Sequence, residues 1–255
     1  MDAIGIIPAR YASTRFEGKV LADLCGKPVI QHVYERAKQA KLLDDLVIAC
    51  DDERIKNAVA RFGGKAILTS PDQPTGTDRL TEVANPLDVK VIVNIQGDEP
   101  FVQSTMIDGL VLQLLHNPTK AGMATVIKRI DDEKELHDPN VVKVVVDKDG
   151  YALYFSRSPI PFVRERPHGK PLTQVHTFYK HIGLYAYTKD FLFTFKNLPE
   201  SGLEEAEKLE QLRALEQGYK IKTIETKFDT VGIDTPADLE RAKILLNENS
   251  KSLKA

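Results

Sequence analysis

The chain is poor in cysteine, in net charge and in long apolar runs, and each shortage narrows what it can be. Its two cysteines, Cys25 and Cys50, belong to no CxxC pair and have no clustered histidine, which excludes a disulfide framework and a zinc site. Both read as reduced core thiols. Lysine and arginine number 35 against 37 acidic residues in a chain of 255, so a formal charge of -2 leaves no electrostatic footprint for nucleic acid or an anionic membrane. No apolar run approaches the roughly 18 residues of a membrane helix. The opening Met1-Asp2-Ala3-Ile4-Gly5 lacks the basic start of a signal peptide. A cytoplasmic protein is expected, inserted in no membrane and bound to no nucleic acid.

Familiar phosphate loops are missing too. There is no G-x-x-x-x-G-K-[ST] and no G-x-G-x-x-G opening a helix, which sets aside a Walker ATPase and a dinucleotide fold. What is present is a cationic loop. An apolar strand over residues 3–7 runs into Pro8-Ala9-Arg10-Tyr11-Ala12-Ser13-Thr14-Arg15-Phe16-Glu17-Gly18-Lys19. Small residues after a strand let backbone N–H groups approach an anion, and Arg10, Arg15 and Lys19 neutralise its charge. A triphosphate suits such a loop.

Further on, short apolar runs alternate with amphipathic segments. Apolar side chains at 29, 30, 33, 34 and 37 follow one helical face, with Pro28 suited to the first turn. Residues 46–50 read as a buried strand ending at Asp51-Asp52, which caps a helix carrying Ile55, Val59 and Phe62. Residues 65–69 and 89–95 are further strands. This order predicts a parallel sheet covered on both faces, with ligands beyond the carboxyl ends of its strands. Residues 144–146 and 152–155 then read as a hairpin turning at Asp147-Lys148-Asp149-Gly150, the mark of a smaller lobe. Residues 203–215 read as one helix, with leucines at 209, 212 and 215.

Two carboxylates stand out at strand ends. Asp98 in Gln96-Gly97-Asp98-Glu99-Pro100 would face a polyphosphate, and a hard oxygen donor there suits Mg²⁺, although Gly-Asp before Pro is also turn chemistry. Asp234 in Val231-Gly232-Ile233-Asp234-Thr235-Pro236 is either a second metal ligand or a helix cap.

Ile6-Ile7-Pro8-Ala9-Arg10-Tyr11-Ala12-Ser13-Thr14-Arg15, Val93-Asn94-Ile95-Gln96-Gly97-Asp98-Glu99-Pro100, Ala152-Leu153-Tyr154-Phe155-Ser156-Arg157 and Leu209-Glu210-Gln211-Leu212-Arg213 together resemble the 3-deoxy-manno-octulosonate (Kdo) cytidylyltransferases, in that family's order and across nearly the whole chain. The resemblance implies an α/β nucleotide-diphospho-sugar transferase (glycosyltransferase-A-like) fold. Its mixed, mostly parallel sheet would have helices on both faces and a small sugar-binding and dimerisation lobe. It implies a single domain over 1–255: a nucleotide-binding half at about 1–130, the lobe at about 131–215 and a return to the main sheet at about 216–255. It further implies a homodimer, Mg²⁺ dependence and the reaction of CTP with Kdo to CMP-Kdo and pyrophosphate, for lipopolysaccharide synthesis.

By the same resemblance, Arg10, Arg15 and Lys19 hold the triphosphate, and Asp98 and Asp234 bind the metal. Lys19, Asp98 and Asp234 form the catalytic set. Cytosine rests against Pro8, Ala9 and the Thr75-Gly76-Thr77-Asp78-Arg79 segment. Gln96, Arg157, His181, Tyr185, Glu210 and Gln211 bind the acid sugar, for which a cation and neutral donors suit a carboxylate with many hydroxyls. Taken alone, His181 reads as a satisfied, partly buried histidine. Two departures are visible. The family loop usually reads x-Pro-Gly-Lys-Pro-Leu where this chain has Phe16-Glu17-Gly18-Lys19-Val20-Leu21, and Gln73 replaces a frequent histidine. Losing both prolines loosens the free loop, and Glu17 adds an anion beside the triphosphate unless it points away or pairs with a cation. Alternatives are a cytidylyltransferase for 8-amino-Kdo or a sialic acid, and a catalytically silent nucleotide-binding protein on the same fold.

Overall fold

The computed structural model describes residues 1–73, 75–116 and 121–252. Its chain packs as two units, Met1–Asp108 with Asp229–Ala255, and Gly109–Phe228. The divisions expected near 130 and 215 both fall within the second unit, because strands on either side of that stretch pair with each other there.

The first unit begins with β1 (Ala3–Ala9), buried along almost its whole length as a strand covered on both faces must be. A 3-10 turn at Lys19–Leu21 and two short strands, β2 (Asp23–Leu24) and β3 (Lys27–Pro28), lead into α1 (Val29–Ala37). Val29, Ile30, Val33, Tyr34 and Ala37 form the buried stripe of α1, and Pro28 stands just before its first turn rather than in it. β4 (Asp45–Cys50) and α2 (Glu53–Arg61) follow, then β5 (Ala66–Leu68), α3 (Gly76–Ala84), β6 (Val91–Asn94) and the first residues of α4 (Ser104–His116), which belongs to the second unit from Gly109 on. β1 lies between β6 and β4, both parallel to it, and β4 pairs in parallel with β5. Chain segments leaving β1, β4 and β6 therefore emerge on one edge of the sheet. The unit closes with α10 (Pro236–Ser252), whose Leu239 and Ala242 pack with Leu24, Val29, Phe101 and Ile233.

Between these segments the second unit runs through β7 (Met123–Arg129), α5 (Glu133–His137), β8 (Lys143–Val146), β9 (Ala152–Ser156), α6 (Leu172–Val175) and β10 (Tyr179–Thr188). It continues with α7 (Lys189–Lys196), α8 (Gly202–Glu207), α9 (Leu212–Glu216) and β11 (Ile221–Thr226). β8 and β9 are the expected hairpin, and β10 runs antiparallel to both β7 and β8. β11 joins β7 in parallel, which binds residues 123–129 and 221–226 into one unit.

Two expectations need correction. The segment 203–215 is two helices, because Lys208 adopts a left-handed backbone with φ 55° and ψ 47°. Glu207 is what turns the chain there: its carboxylate accepts from Ser156 Oγ at 2.6 Å and Arg157 N at 2.9 Å, and its carbonyl accepts from Arg157 Nε at 2.7 Å. Cys25 is no core thiol; it is exposed on the turn between β2 and β3, while Cys50 is buried as expected.

Candidate active site

The loop leaving β1 closes on itself, with Gly18 N donating to Tyr11 O at 2.9 Å. Gly18 takes φ +67°, the left-handed region that glycine enters without steric cost. Beside it lies a cleft of about 400 Å³, lined on the loop side by Pro8, Arg10, Ser13, Arg15 and Lys19 and opposite by Gly76, Gln96, Gly97 and Asp98. The two sides meet closely. A Cβ on Gly97 would come within 2.8 Å of the Pro8 carbonyl oxygen, so only glycine lets the β6 end approach β1 there.

Lys19 is the centre of charge in this cleft. Its Nζ donates to Asp98 Oδ2 at 2.5 Å and Asp234 Oδ1 at 2.8 Å, and Arg15 Nη2 lies 3.1 Å from the same Asp234 oxygen. Burial pulls the Lys19 ammonium down, but Asp98 and Asp234 outweigh it and hold the pKa above its ordinary value. A backbone bond from Ile233 N to Asp98 O, 2.9 Å, fixes the two acidic segments together. Of the two readings of Asp234, the cap belongs to others: Asp238 accepts from Asp234 N and Thr235 N, and Thr235 Oγ1 accepts from Asp238 N. The Asp234 carboxylate is thereby left facing cations. Next to Asp98, loss of solvation and the Asp98 charge push the Glu99 carboxyl up to about 7, against a hydrogen bond from Thr230.

Could this cluster take a divalent ion? Among the described residues no group of three or more His, Cys, Asp or Glu side chains forms a self-sufficient metal cage. Two hard carboxylates that reach one common point are nevertheless what Mg²⁺ needs when a substrate's phosphates and water supply its other ligands. The donor set fits Mg²⁺ on those terms.

The Thr75–Arg79 stretch opens α3 through a capping box between Thr75 and Asp78. Gly76 is its contribution to the cleft wall. Thr77 and Arg79 are buried, and the Arg79 guanidinium is held by Thr69 Oγ1, by Ser70 O at 3.3 Å and by Asp51 Oδ2 at 3.3 Å. Arg79 therefore supports the cleft from behind. Asp51, read from sequence as part of a helix cap, has this other task, and also accepts from Tyr11 N at 3.1 Å; the cap of α2 is Asp52 alone. A carboxylate directly after a buried strand was the only sequence signal for it. Gln73 donates to Glu82 at 2.7 Å.

In the second unit, His181, Tyr185 and Phe155 form an aromatic group. The His181 ring lies 5.1 Å from Phe155, edge to face, and 5.2 Å from Tyr185, with Nε2 3.1 Å from Thr125 Oγ1. Desolvation lowers the His181 pKa to about 3, so the ring is neutral at physiological pH. Burial, Tyr187 and then Glu210 raise the Tyr185 phenol, which places Glu210 near this group. Arg157 donates Nη1 to Pro139 O at 3.0 Å besides its bond to Glu207. Gln211 is buried, and its Nε2 has no hydrogen-bond partner among the described residues.

A parallel α/β sheet whose strand ends gather loop cations and paired carboxylates defines a nucleotidyltransferase. A family model described as cytidylyltransferase matches residues 4–224. A 3-deoxy-manno-octulosonate cytidylyltransferase of Thermodesulfovibrio yellowstonii is 52% identical over 258 residues, covering 98% of this chain and 100% of that protein. Its counterpart in Geobacter sulfurreducens is 51% identical over 250 residues, 94% of this chain and 98% of the relative. A solved structure of CMP:2-keto-3-deoxy-manno-octonic acid synthetase complexed with CTP superposes with a TM-score of 0.90 at 43% identity, over 98% of this chain and 100% of that one. The chain belongs to the 3-deoxy-manno-octulosonate cytidylyltransferase family.

Proposed function

We propose that the protein activates Kdo with CTP, releasing CMP-Kdo and pyrophosphate. The observation that carries this reading is the meeting of Lys19, Asp98 and Asp234 beside the cationic loop, in a chain about half identical to relatives named for that reaction. Arg10 and Arg15, with backbone N–H groups of the loop, would hold the triphosphate. Pro8, Ala9 and the Gly76 side of the cleft would take the cytosine. Asp98 and Asp234 would hold Mg²⁺, which when bound supplies charge neutralisation at the phosphoryl oxygens.

The anomeric hydroxyl oxygen of the sugar forms a bond to the α-phosphorus of CTP as the bond to the β-phosphate oxygen breaks. Pyrophosphate leaves, and the hydroxyl proton passes to solvent water. Arg10, Arg15 and Lys19 need only neutralise charge that is already in position, and no covalent enzyme intermediate is required.

Sugar recognition falls to the second unit. Arg157 offers the cation for the sugar carboxylate. The neutral His181, the Tyr185 phenol, Glu210 and the Gln211 amide, whose Nε2 has no partner among the described residues, suit its hydroxyls. Gln96, expected for the sugar from the resemblance, lines the first unit's cleft. The product would feed lipopolysaccharide synthesis in the cytoplasm; no helix among the described residues is long and apolar enough to cross a membrane. A homodimer belongs to the same reading, and sedimentation analysis tests it.

Pyrophosphate release with each of CTP, UTP and ATP against Kdo, 8-amino-Kdo and a sialic acid tests the reading. CTP with Kdo should give the highest kcat/KM. Preference for another sugar, or no turnover with any pair, would overturn it.

A further inference from the structure

The phosphate loop contains no proline between Pro8 and Pro28, so its own chain does little to restrict it before a nucleotide arrives. Its order comes from contacts: the Lys19 and Arg15 ion pairs hold its cleft side, and a second set gathers at Tyr11. The Tyr11 N–H donates to Asp51, and the Tyr11 carbonyl accepts from Gly18, which spans the loop. The ring is covered by Arg54, whose Cζ lies 3.3 Å from the ring centroid. On the Gly18 side the fit is close: a Cβ there would sit 3.3 Å from the ring carbons.

Arg54 is itself fixed. Nε and Nη2 make a fork to the two oxygens of Asp52, at 2.8 and 2.6 Å, and Asp52 caps α2 on which Arg54 rides. Asp51 is tied from behind to the buried Arg79. Neither Asp51 nor Arg54 lines the cleft. Both belong to the β4–α2 junction and touch the loop through Tyr11.

We propose that Asp51 and Arg54 are positioning residues that act through Tyr11 to keep the phosphate loop in its triphosphate-receiving shape. The inference rests on the reading of that loop as the CTP site. A planar guanidinium can hold the Asp52 fork and lie flat on the ring at once, which an ammonium cannot do. Arg54 also answers the anion of Glu17. Glu17 is exposed, and its charge adds, after Asp52 and Tyr11, to what keeps Arg54 charged.

The test compares Arg54→Ala, Arg54→Lys, Tyr11→Leu and Asp51→Asn with the wild type in two ways. CTP kinetics are measured at saturating Kdo, and tryptic cleavage after Arg10, Arg15 and Lys19 is followed in the ligand-free protein by mass spectrometry. Each variant should raise the KM for CTP by about three- to tenfold, with kcat within about twofold. Loop cleavage should quicken by a similar factor and be suppressed by CTP. The melting temperature of Arg54→Ala should stay within about 2 °C of wild type. Arg54→Lys should be as defective as Arg54→Ala. Unchanged KM and cleavage, rescue by lysine, or a fall in kcat and melting temperature together would overturn the proposal. If the wild type itself fails to bind CTP, the assignment of the loop is lost, while the cleavage rates still report whether the clamp orders it.

Discussion

Lys19, Asp98 and Asp234 come from three distant parts of the chain, yet one ammonium touches both carboxylates. Their candidacy was legible in sequence because Asp98 and Asp234 follow apolar runs and Lys19 closes the cationic loop after β1. Asp51 and Arg79 were not, since their roles depend on pairing across β4 and α3, 28 residues apart. His181 gives a pH test of its own. Its pKa is about 3 in the folded protein against an ordinary 6.5. Between those values the unfolded chain binds a proton that the folded chain excludes. Stability is therefore full above about pH 6.5 and falls as pH drops towards 3, by at most roughly 1.4 kcal/mol per unit. Urea unfolding at pH 7 and pH 5 should show the wild type losing up to about 2 kcal/mol more than His181→Gln. Equal losses would mean that the ring takes up its proton in the folded state.

Among the elements, the parallel core was readable because β1, β4 and β6 are continuous apolar runs of strand length. The hairpin of β8 and β9 was readable from its turn, where Asp147 Oδ1 accepts from Asp149 N and Tyr151 N at 2.9 and 2.8 Å. The break between α8 and α9 was not. Local propensity favours one helix there, and what overrides it is the contact of Glu207 with Ser156, 51 residues away. Lys208 bears the consequence as a side chain in the left-handed region, at a cost of roughly 1 kcal/mol. Lys208→Gly should therefore raise the unfolding free energy by about 0.5 kcal/mol or more, without altering turnover. A loss of stability would mean that the Lys208 side chain makes contacts worth more than the strain.

At the scale of the whole molecule, the residues proposed for the nucleotide lie in one unit and, Gln96 apart, those proposed for the acid sugar lie in the other. Kinetics should keep the two apart. Lys19→Ala should impair CTP use with little change in the KM for Kdo, whereas Arg157→Ala should mainly raise the KM for Kdo. The same defect in both variants would refute this division. The central claim is tested most directly by following CTP, Kdo and Mg²⁺ by ³¹P NMR with wild type, Asp98→Asn and Asp234→Asn. The wild type should convert the α-phosphorus of CTP to the phosphodiester of CMP-Kdo with one pyrophosphate per product. Each variant should remain folded and be slower by on the order of a hundredfold or more. Near wild-type rates in either variant, or pyrophosphate without CMP-Kdo, would contradict it.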